Sequence, residues 1–218
     1  MVGPAARLPL RRSAVPLDGR RVHLRPAEPA DAPAFTTILS DPTVHPWWQA
    51  ADPAADARQL ADRADHVAVW AIEEAGVIVG VIQAHEETDP RYRHAGIDIV
   101  LAGSAQDRGL GSDAVRTVAR WLIDVRRHHR LTIDPAAANE RAIRAYRRVG
   151  FRPVGIMRRY EGDLDGTWHD GLLMDLLADD LDDRPTPTDA SDDDLIGSVT
   201  LAADEDEAYL GTGAAWRV

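Results

Sequence analysis

The sequence predicts an α/β domain with a mixed sheet, and three observations carry that prediction. Runs of strand length alternate with amphipathic helical stretches in the order β-α-α-β-β-β-α-β-α-β-β. With 218 residues, 44% hydrophobic and 28% charged, the chain can bury a sizeable core in one domain with an appendage. The charge is also segregated: of the net −11, the stretch from Ala178 to the end carries −10, as 12 acidic residues against two Arg. Three segments follow: a flexible N-terminal arm over residues 1–20, the folded domain over 21–177, and an acidic, partly disordered tail over 178–218.

Arg21 to Pro26 alternates and ends on proline, as a short strand does. A helix from about Asp31 to Ser40 puts Phe35, Ile38 and Leu39 on one face, with Asp31 as its N-cap. Trp47-Trp48 falls in the following loop, and an Ala-rich helix runs from about Pro53 to Arg63. Strands His66–Glu73 and Val77–His85 form a hairpin across Glu74-Ala75-Gly76. Ile97 to Ala102 is apolar around one acid, Asp98, which suits a buried strand. The helix from Gly109 to about Arg127 aligns Leu110, Ala114, Val118, Leu122 and Val125. Arg130 to Ile133 is a strand, and Asn139 to Val149 a helix that Gly150 stops. Strands of about Arg152–Tyr160 and Trp168–Leu176 close the domain. In the tail, Leu195 to Leu201 has strand-like composition.

Composition narrows the function. No apolar run approaches the roughly 20 residues of a spanning helix, and the Arg- and Pro-rich start lacks a secretory apolar core, so a cytoplasmic location is expected and no membrane partner. The absence of Cys excludes disulfides, a thiolate nucleophile and Cys-ligated metal. All 25 basic residues are Arg, without a dense basic stripe interleaved with aromatics, so no nucleic-acid partner is expected. His85, His94, His128 and His129 have no metal-ligand spacing and read as surface or hinge residues; no metal site is expected.

The most informative segment is Gln106-Asp107-Arg108-Gly109-Leu110-Gly111-Ser112, between a buried strand and an amphipathic helix. Its two glycines allow close backbone approach, and a helix N-terminus offers unpaired N–H groups to an anion. A structural turn is the alternative reading. Asp98 is the candidate proton acceptor, because an acid in an apolar strand is costly unless it is paired or useful; a salt bridge to an Arg is the alternative. Trp47 and Trp48 suit stacking on cations or sugar faces, or simply packing.

Gln106-x-x-Gly109-x-Gly111 resembles the pyrophosphate loop of the GNAT acetyltransferases, and Asn139-x-x-Ala142-x-x-x-Tyr146-x-x-x-Gly150-Phe151 resembles that family's downstream helix. The resemblance implies a GNAT acyltransferase fold, a mixed and mostly antiparallel sheet flanked by helices, with acetyl-CoA as co-substrate. It implies that the backbone of Asp107, Arg108, Gly109, Leu110, Gly111 and Ser112, beside Gln106, holds the pyrophosphate. Ile99, Val100 and Leu101 would pair with pantetheine, Asn139 would touch the cofactor, and Tyr146 would protonate the departing thiolate.

A narrower resemblance is to aminoglycoside 6′-N-acetyltransferases, through Val44-His45-Pro46-Trp47-Trp48, Glu86-Glu87-Thr88-Asp89-Pro90, Gly96-Ile97-Asp98 and Thr132-Ile133-Asp134-Pro135. It implies antibiotic resistance by direct transfer in a ternary complex. Asp98 matches the catalytic carboxylate, and Trp47, Trp48, Glu87, Asp89 and Asp134 match positions near the amine. A siderophore hydroxylamine or lysine precursor, a protein N-terminus, and a non-catalytic acyl-CoA sensor are the competing readings. The expected partner is a small-molecule amine, with homodimerisation left open.

Overall fold

The computed structural model of the chain describes residues 9–10, 14–48, 50–62 and 66–181. Its strands are β1 (Leu17–Asp18), β2 (His23–Pro26), β3 (Val67–Glu74), β4 (Val77–Glu87), β5 (His94–Leu101), β6 (Arg130–Ile133), β7 (Arg152–Gly162) and β8 (Trp168–Leu177). Its helices are α1 (Ala32–Leu39), α2 (Pro53–Ala61), α3 (Leu110–Asp124) and α4 (Glu140–Val149). One sheet orders the strands β1-β2-β3-β4-β5-β6-β8-β7, antiparallel throughout except for the parallel pair β5–β6.

Period-two alternation explains the layers, since opposite residues of neighbouring strands share a face. Trp70, Ile82, Ile97, Leu131 and Met174 join Leu110, Val118, Leu122 and Tyr146 of α3 and α4 in the larger core. Val69, Ala71, Val81 and Val100 face the other way and pack on Phe35, Ile38, Leu39 and Leu60 of α1 and α2. The β3–β4 hairpin turns through Ala75 (φ 51°) and Gly76 (φ 78°), the two positive values that a right-twisted two-residue hairpin demands.

Four expectations change. The arm over residues 1–20 is not free along its described part. Leu17–Asp18 pairs with β2, Leu10 is buried, and Trp70 Nε1 donates to the Val15 carbonyl at 2.9 Å. Asp113, in the first turn of α3, anchors this edge by accepting from the backbone N–H groups of Arg20 (3.1 Å), Arg21 (2.7 Å) and Val22 (3.2 Å). Asp113→Ala strips all three, and a loss of about 1–2 kcal/mol is expected in urea unfolding, because these groups are largely solvated.

Asp31 does not cap α1 through its side chain; it is buried, accepts from Glu28 N at 2.8 Å, and binds Arg25 through both oxygens. Helix α3 ends at Asp124, so Val125 is exposed rather than part of the apolar face, and Trp121 and Val115 take that role. Ala178–Asp180 forms a short turn of 3₁₀ helix on the domain, with Asp180 accepting from Arg152 at 2.7 Å, so the domain runs past residue 177. The remainder of the tail, Leu195 to Leu201 included, lies outside the described residues.

Candidate active site

The cofactor side of the site is built where β5 and β6 part. They pair only at Ala95↔Leu131 and Gly96↔Thr132, so beyond Gly96 the β5 edge from Ile97 to Leu101 has no ladder partner on β6. Peptide groups on such an edge bind an extended amide chain. At the far end of β5 the chain turns into α3. Gly109, the N-cap, has φ +76°, a conformation that glycine enters without penalty, and the first N–H groups of α3 have no intrahelical acceptor. A side chain at Gly111 would press on Leu101 Cδ1 at 3.2 Å, so the glycine keeps loop and strand close.

Each predicted loop residue then has a place. Gln106 spends its amide on the Leu101 carbonyl (3.0 Å), closing the loop rather than reaching outward. Asp107 has φ 57° and is exposed, near Arg141 at 3.8 Å. Arg108 pairs with Glu74 at 2.7 Å, and its carbonyl accepts from the Arg21 guanidinium. Leu110 is wholly buried, so only its backbone serves the loop. Ser112 Oγ donates to the Ala145 carbonyl at 3.3 Å and ties α3 to α4. Asn139 caps α4, accepting from Ala142 N at 3.1 Å, and Gly150 ends that helix at φ +119°. Ile99 and Leu101 lean toward the larger core, whereas Val100 is buried in the other. A helix N-terminus for a diphosphate beside an open strand edge for amide groups fits coenzyme A.

The residues expected on the acceptor side lie on the α1/α2 face of the sheet, where His85 and Asp98 keep about half and a third of their side-chain surface exposed. Gln83 and Asp98 are direct cross-strand partners, and Gln83 Nε2 donates to Asp98 Oδ2 at 2.8 Å. His85 follows on the same face, its Nδ1 3.7 Å from the same oxygen, over Gly96. Thr132 is level with Gly96 on β6, and Asp134 follows two residues on. The Asp134 segment is held along β8 by Leu172 N to the Pro135 carbonyl (2.9 Å) and Ala137 N to the Asp170 carbonyl (2.8 Å).

Tyr160 closes this cluster, its hydroxyl 2.5 Å from Asp134 Oδ2. It arrives there through a bulge: between Met157 and Glu161, β7 advances four residues while β8 moves two, from Gly171 to His169. The ring sits over Gly171, where a Cβ would stand 2.8 Å from Tyr160 Cδ1.

Burial pushes the Asp134 carboxyl up; the Tyr160 hydrogen bond opposes this, and the charge of Asp98 adds to it. Burial, then the charges of Asp98 and Asp134, also raise Tyr146, so its phenol is protonated at neutral pH. Tyr146 belongs to the α3/α4 core yet responds to carboxylates on the opposite face. The parting of β5 and β6 accounts for that reach.

The other predicted acceptor residues gather less closely. Glu87 is two residues beyond His85 on the same face, about 7 Å along the strand, and accepts from Asp89 N at 2.8 Å. Asp89 is held below the usual carboxylate range by Arg91, its partner at 2.9 Å. Trp48 packs on the α1/α2 core while Trp47 is exposed; neither makes a hydrogen bond or ring contact with the Asp98 cluster among the described residues.

Gln83, His85 and Tyr160 escaped the sequence reading. The first two carried a usable signal, the i, i+2 row Gln83-His85-Glu87 opposite Asp98, whereas nothing local marks the bulge that aims Tyr160. A separate groove of about 630 Å³, lined by Leu17, Gly19, Thr117 and Trp121, shares no residue with the cluster. No group of three or more His, Asp or Glu positioned to hold a metal occurs among the described residues, nor any helix long and apolar enough to cross a membrane.

Comparison with known proteins bears on the family and the fold. Aminoglycoside N(6')-acetyltransferase type 1 of Klebsiella pneumoniae is 38% identical over 78 residues, which are 35% of this chain and 38% of that protein. The chain therefore matches well under half the length of that relative. Mycobacterium smegmatis RimJ in complex with CoA-disulfide superposes with a TM-score of 0.68 at 25% identity, over 80% of this chain and 91% of its own. AAC(6')-Ib in complex with "Parmomycin and AcetylCoA" superposes with a TM-score of 0.60 at 26% identity, over 73% and 94%. The acetyltransferase (GNAT) domain model matches residues 21–152, well over half of the sequence, and spans both the Gly109 loop and the Tyr146 helix. The chain belongs to the GNAT acetyltransferase family, whose acetyl donor is acetyl-CoA.

Proposed function

We propose that this chain acetylates a primary amine of a polycationic small molecule from acetyl-CoA, with the 6′-amine of an aminoglycoside as the first acceptor to test. The observation that carries the reading is that Asp134, hydrogen-bonded to Tyr160, lies close enough to Asp98 to feel its charge, beside the place where the cofactor edge of β5 begins. Two carboxylates close enough to feel one another attract a multiply charged amine and orient it by charge-assisted hydrogen bonds.

The chain's own groups divide the work. The first turn of α3, from Gly109 to Ser112, holds the diphosphate; the β5 edge from Ile99 to Leu101 orients the arm; and Asn139 stands at the start of the neighbouring helix. Acetyl-CoA, when bound, supplies an activated acyl carbon. Asp98 helps to take a proton from the ammonium, and Asp134 with Tyr160 holds a second cationic group of the acceptor. Tyr146, kept protonated by burial, supplies a proton at the leaving sulfur. Holding both reactants in one complex accounts for roughly 7–11 kcal/mol of the barrier in favourable cases.

Transfer to the α-amine of a protein is the competing reading. A coenzyme A-release assay over aminoglycosides, diamines, hydroxylated lysines and peptides separates the two. Turnover of kanamycin- or tobramycin-type acceptors is expected. Turnover of peptides alone would replace the first reading by the second, and acetyl-CoA binding without transfer to any amine would favour an acyl-CoA sensor.

A further inference from the structure

We propose that His85, oriented by Asp98, is the group that takes the proton from the acceptor amine, so that Asp98 acts through the imidazole as a positioning residue. The inference deepens the acetyltransferase reading above and rests on it.

The geometry comes from three neighbouring positions. His85 lies on the exposed part of β4 with its side chain about half exposed, open to an incoming amine, while Asp98 is more enclosed. Asp98 Oδ2 is fixed from one side by Gln83 Nε2 at 2.8 Å, and His85 Nδ1 approaches it from the other at 3.7 Å. Gln83 is itself buried and cannot swing away without moving the core.

The third position is Gly96, directly across from His85 on β5. A Cβ built there falls 2.1 Å from His85 Cε1 and 2.2 Å from Nε2, so the imidazole occupies the space a side chain would fill. The strand thus leaves a seat for the ring beside the carboxylate. A surface histidine with no task needs neither a seat nor a carboxylate aimed at one ring nitrogen.

The chemistry follows from the tautomer. With Nδ1–H directed at Asp98, the lone pair resides on Nε2. An ammonium N–H bond breaks with its electron pair left on nitrogen, and an N–H bond forms at Nε2. The positive charge passes to the imidazolium, which Asp98 balances. The neutral amine is then the nucleophile, and the imidazolium later releases its proton to solvent through the exposed edge. The 3.7 Å separation is long for a hydrogen bond, as such contacts often are before the reactants are in place. The charged and titratable groups nearest the ring are Asp98 on β5 and, beyond it, Asp134 after β6 with its partner Tyr160 on β7.

The test has two arms. In the first, ¹⁵N-resolved NMR of the full chain at pH 8 reads the neutral tautomer of His85, with no acceptor present. A proton on Nδ1 in the wild type, moving to Nε2 in Asp98→Asn, is expected; a proton on Nε2 in the wild type overturns the proposal whatever the acceptor proves to be. In the second, His85→Gln and Gly96→Ala are compared with wild type on the best acceptor of the coenzyme A-release panel. Both are expected to lose roughly 100-fold in kcat with acceptor KM within about threefold, and to lose the acidic limb of the kcat/KM profile. Imidazole in the buffer should partly rescue a His85→Gly variant. Because Gly96→Ala keeps both His85 and Asp98 and only displaces the ring, its loss cannot come from a missing side chain; circular dichroism confirms that each variant folds. Unchanged kcat and an unchanged acidic limb in His85→Gln overturn the proposal. Silence of the wild type on every amine would instead overturn the function proposed above, and the tautomer arm would still decide the role of His85.

Discussion

Asp98→Asn is expected to lower kcat by roughly 10²- to 10³-fold and to leave acetyl-CoA affinity within about threefold of wild type. The substitution keeps size and the partner of Gln83, since an amide can still accept from Gln83 Nε2. What it removes is the negative charge that balances the developing cation and that Asp134, Tyr146 and Tyr160 all sense. The cofactor loop is at the other end of β5, between Gln106 and Ser112, so donor binding is spared. Stopped-time product assays from pH 6 to 9, with calorimetry for acetyl-CoA, read both quantities. Wild-type rates across that range would take Asp98 out of the mechanism.

The second large effect is on stability. Glu86 accepts from Arg126 through Nε (2.9 Å) and Nη2 (2.8 Å), and its Oε1 is 2.7 Å from His128 Nε2. All three side chains are nearly buried, and together they fasten the end of β4 to the C-terminal end of α3. Burial pushes the Glu86 carboxyl up, but hydrogen bonds from His128 and Arg126 outweigh it and hold it at about 2, against an ordinary 4.5.

A depressed pKa contributes stability that is fully present above the ordinary value and is lost as pH falls through the folded one. Glu86→Ala should therefore cost about 3 kcal/mol at pH 7, consistent with removing one partner of a buried ionic cluster. The gap between wild type and variant in urea midpoint should hold above about pH 5 and close between pH 4.5 and 2. A gap that stays constant down to pH 2 would mean that packing, not the ionised carboxylate, carries the effect.

The fold was legible because its elements announce themselves locally. The Ala75-Gly76 turn, the apolar face of α3 and the Gly150 stop each occupy the places their residues dictate. The misses share a physical cause, which is that partners outside the local element decide them. Asp31 looks like a cap until Arg25 claims both of its oxygens. The Leu17–Asp18 strand is too short to signal itself and exists because Asp113, more than ninety residues on, holds the chain beside β2.

The site divides in the same way. Asp98 and the Gly109 loop stand out as candidates by residue type and spacing, whereas Asp134 is expected only through the resemblance to the aminoglycoside acetyltransferases. Gln106 and Ser112 sit where expected, but their side chains brace the loop and α4. His85 lies at the surface as expected, and only the register that puts it opposite Gly96 brings it to Asp98. Tyr160 needed the two-residue excess on β7, which is a property of the strand pair and not of either strand alone.

Whether the chain moves an acetyl group to a polycationic amine is measured directly by one competition. Equal amounts of tobramycin and a short peptide with a free N-terminus are incubated with the full chain and limiting acetyl-CoA, and mass spectrometry locates the acetyl group. The acetyl group is expected on tobramycin, at the 6′-amine, with the peptide untouched. Acetyl on the peptide alone, or on neither with acetyl-CoA intact, would rule out a polycationic small-molecule acceptor.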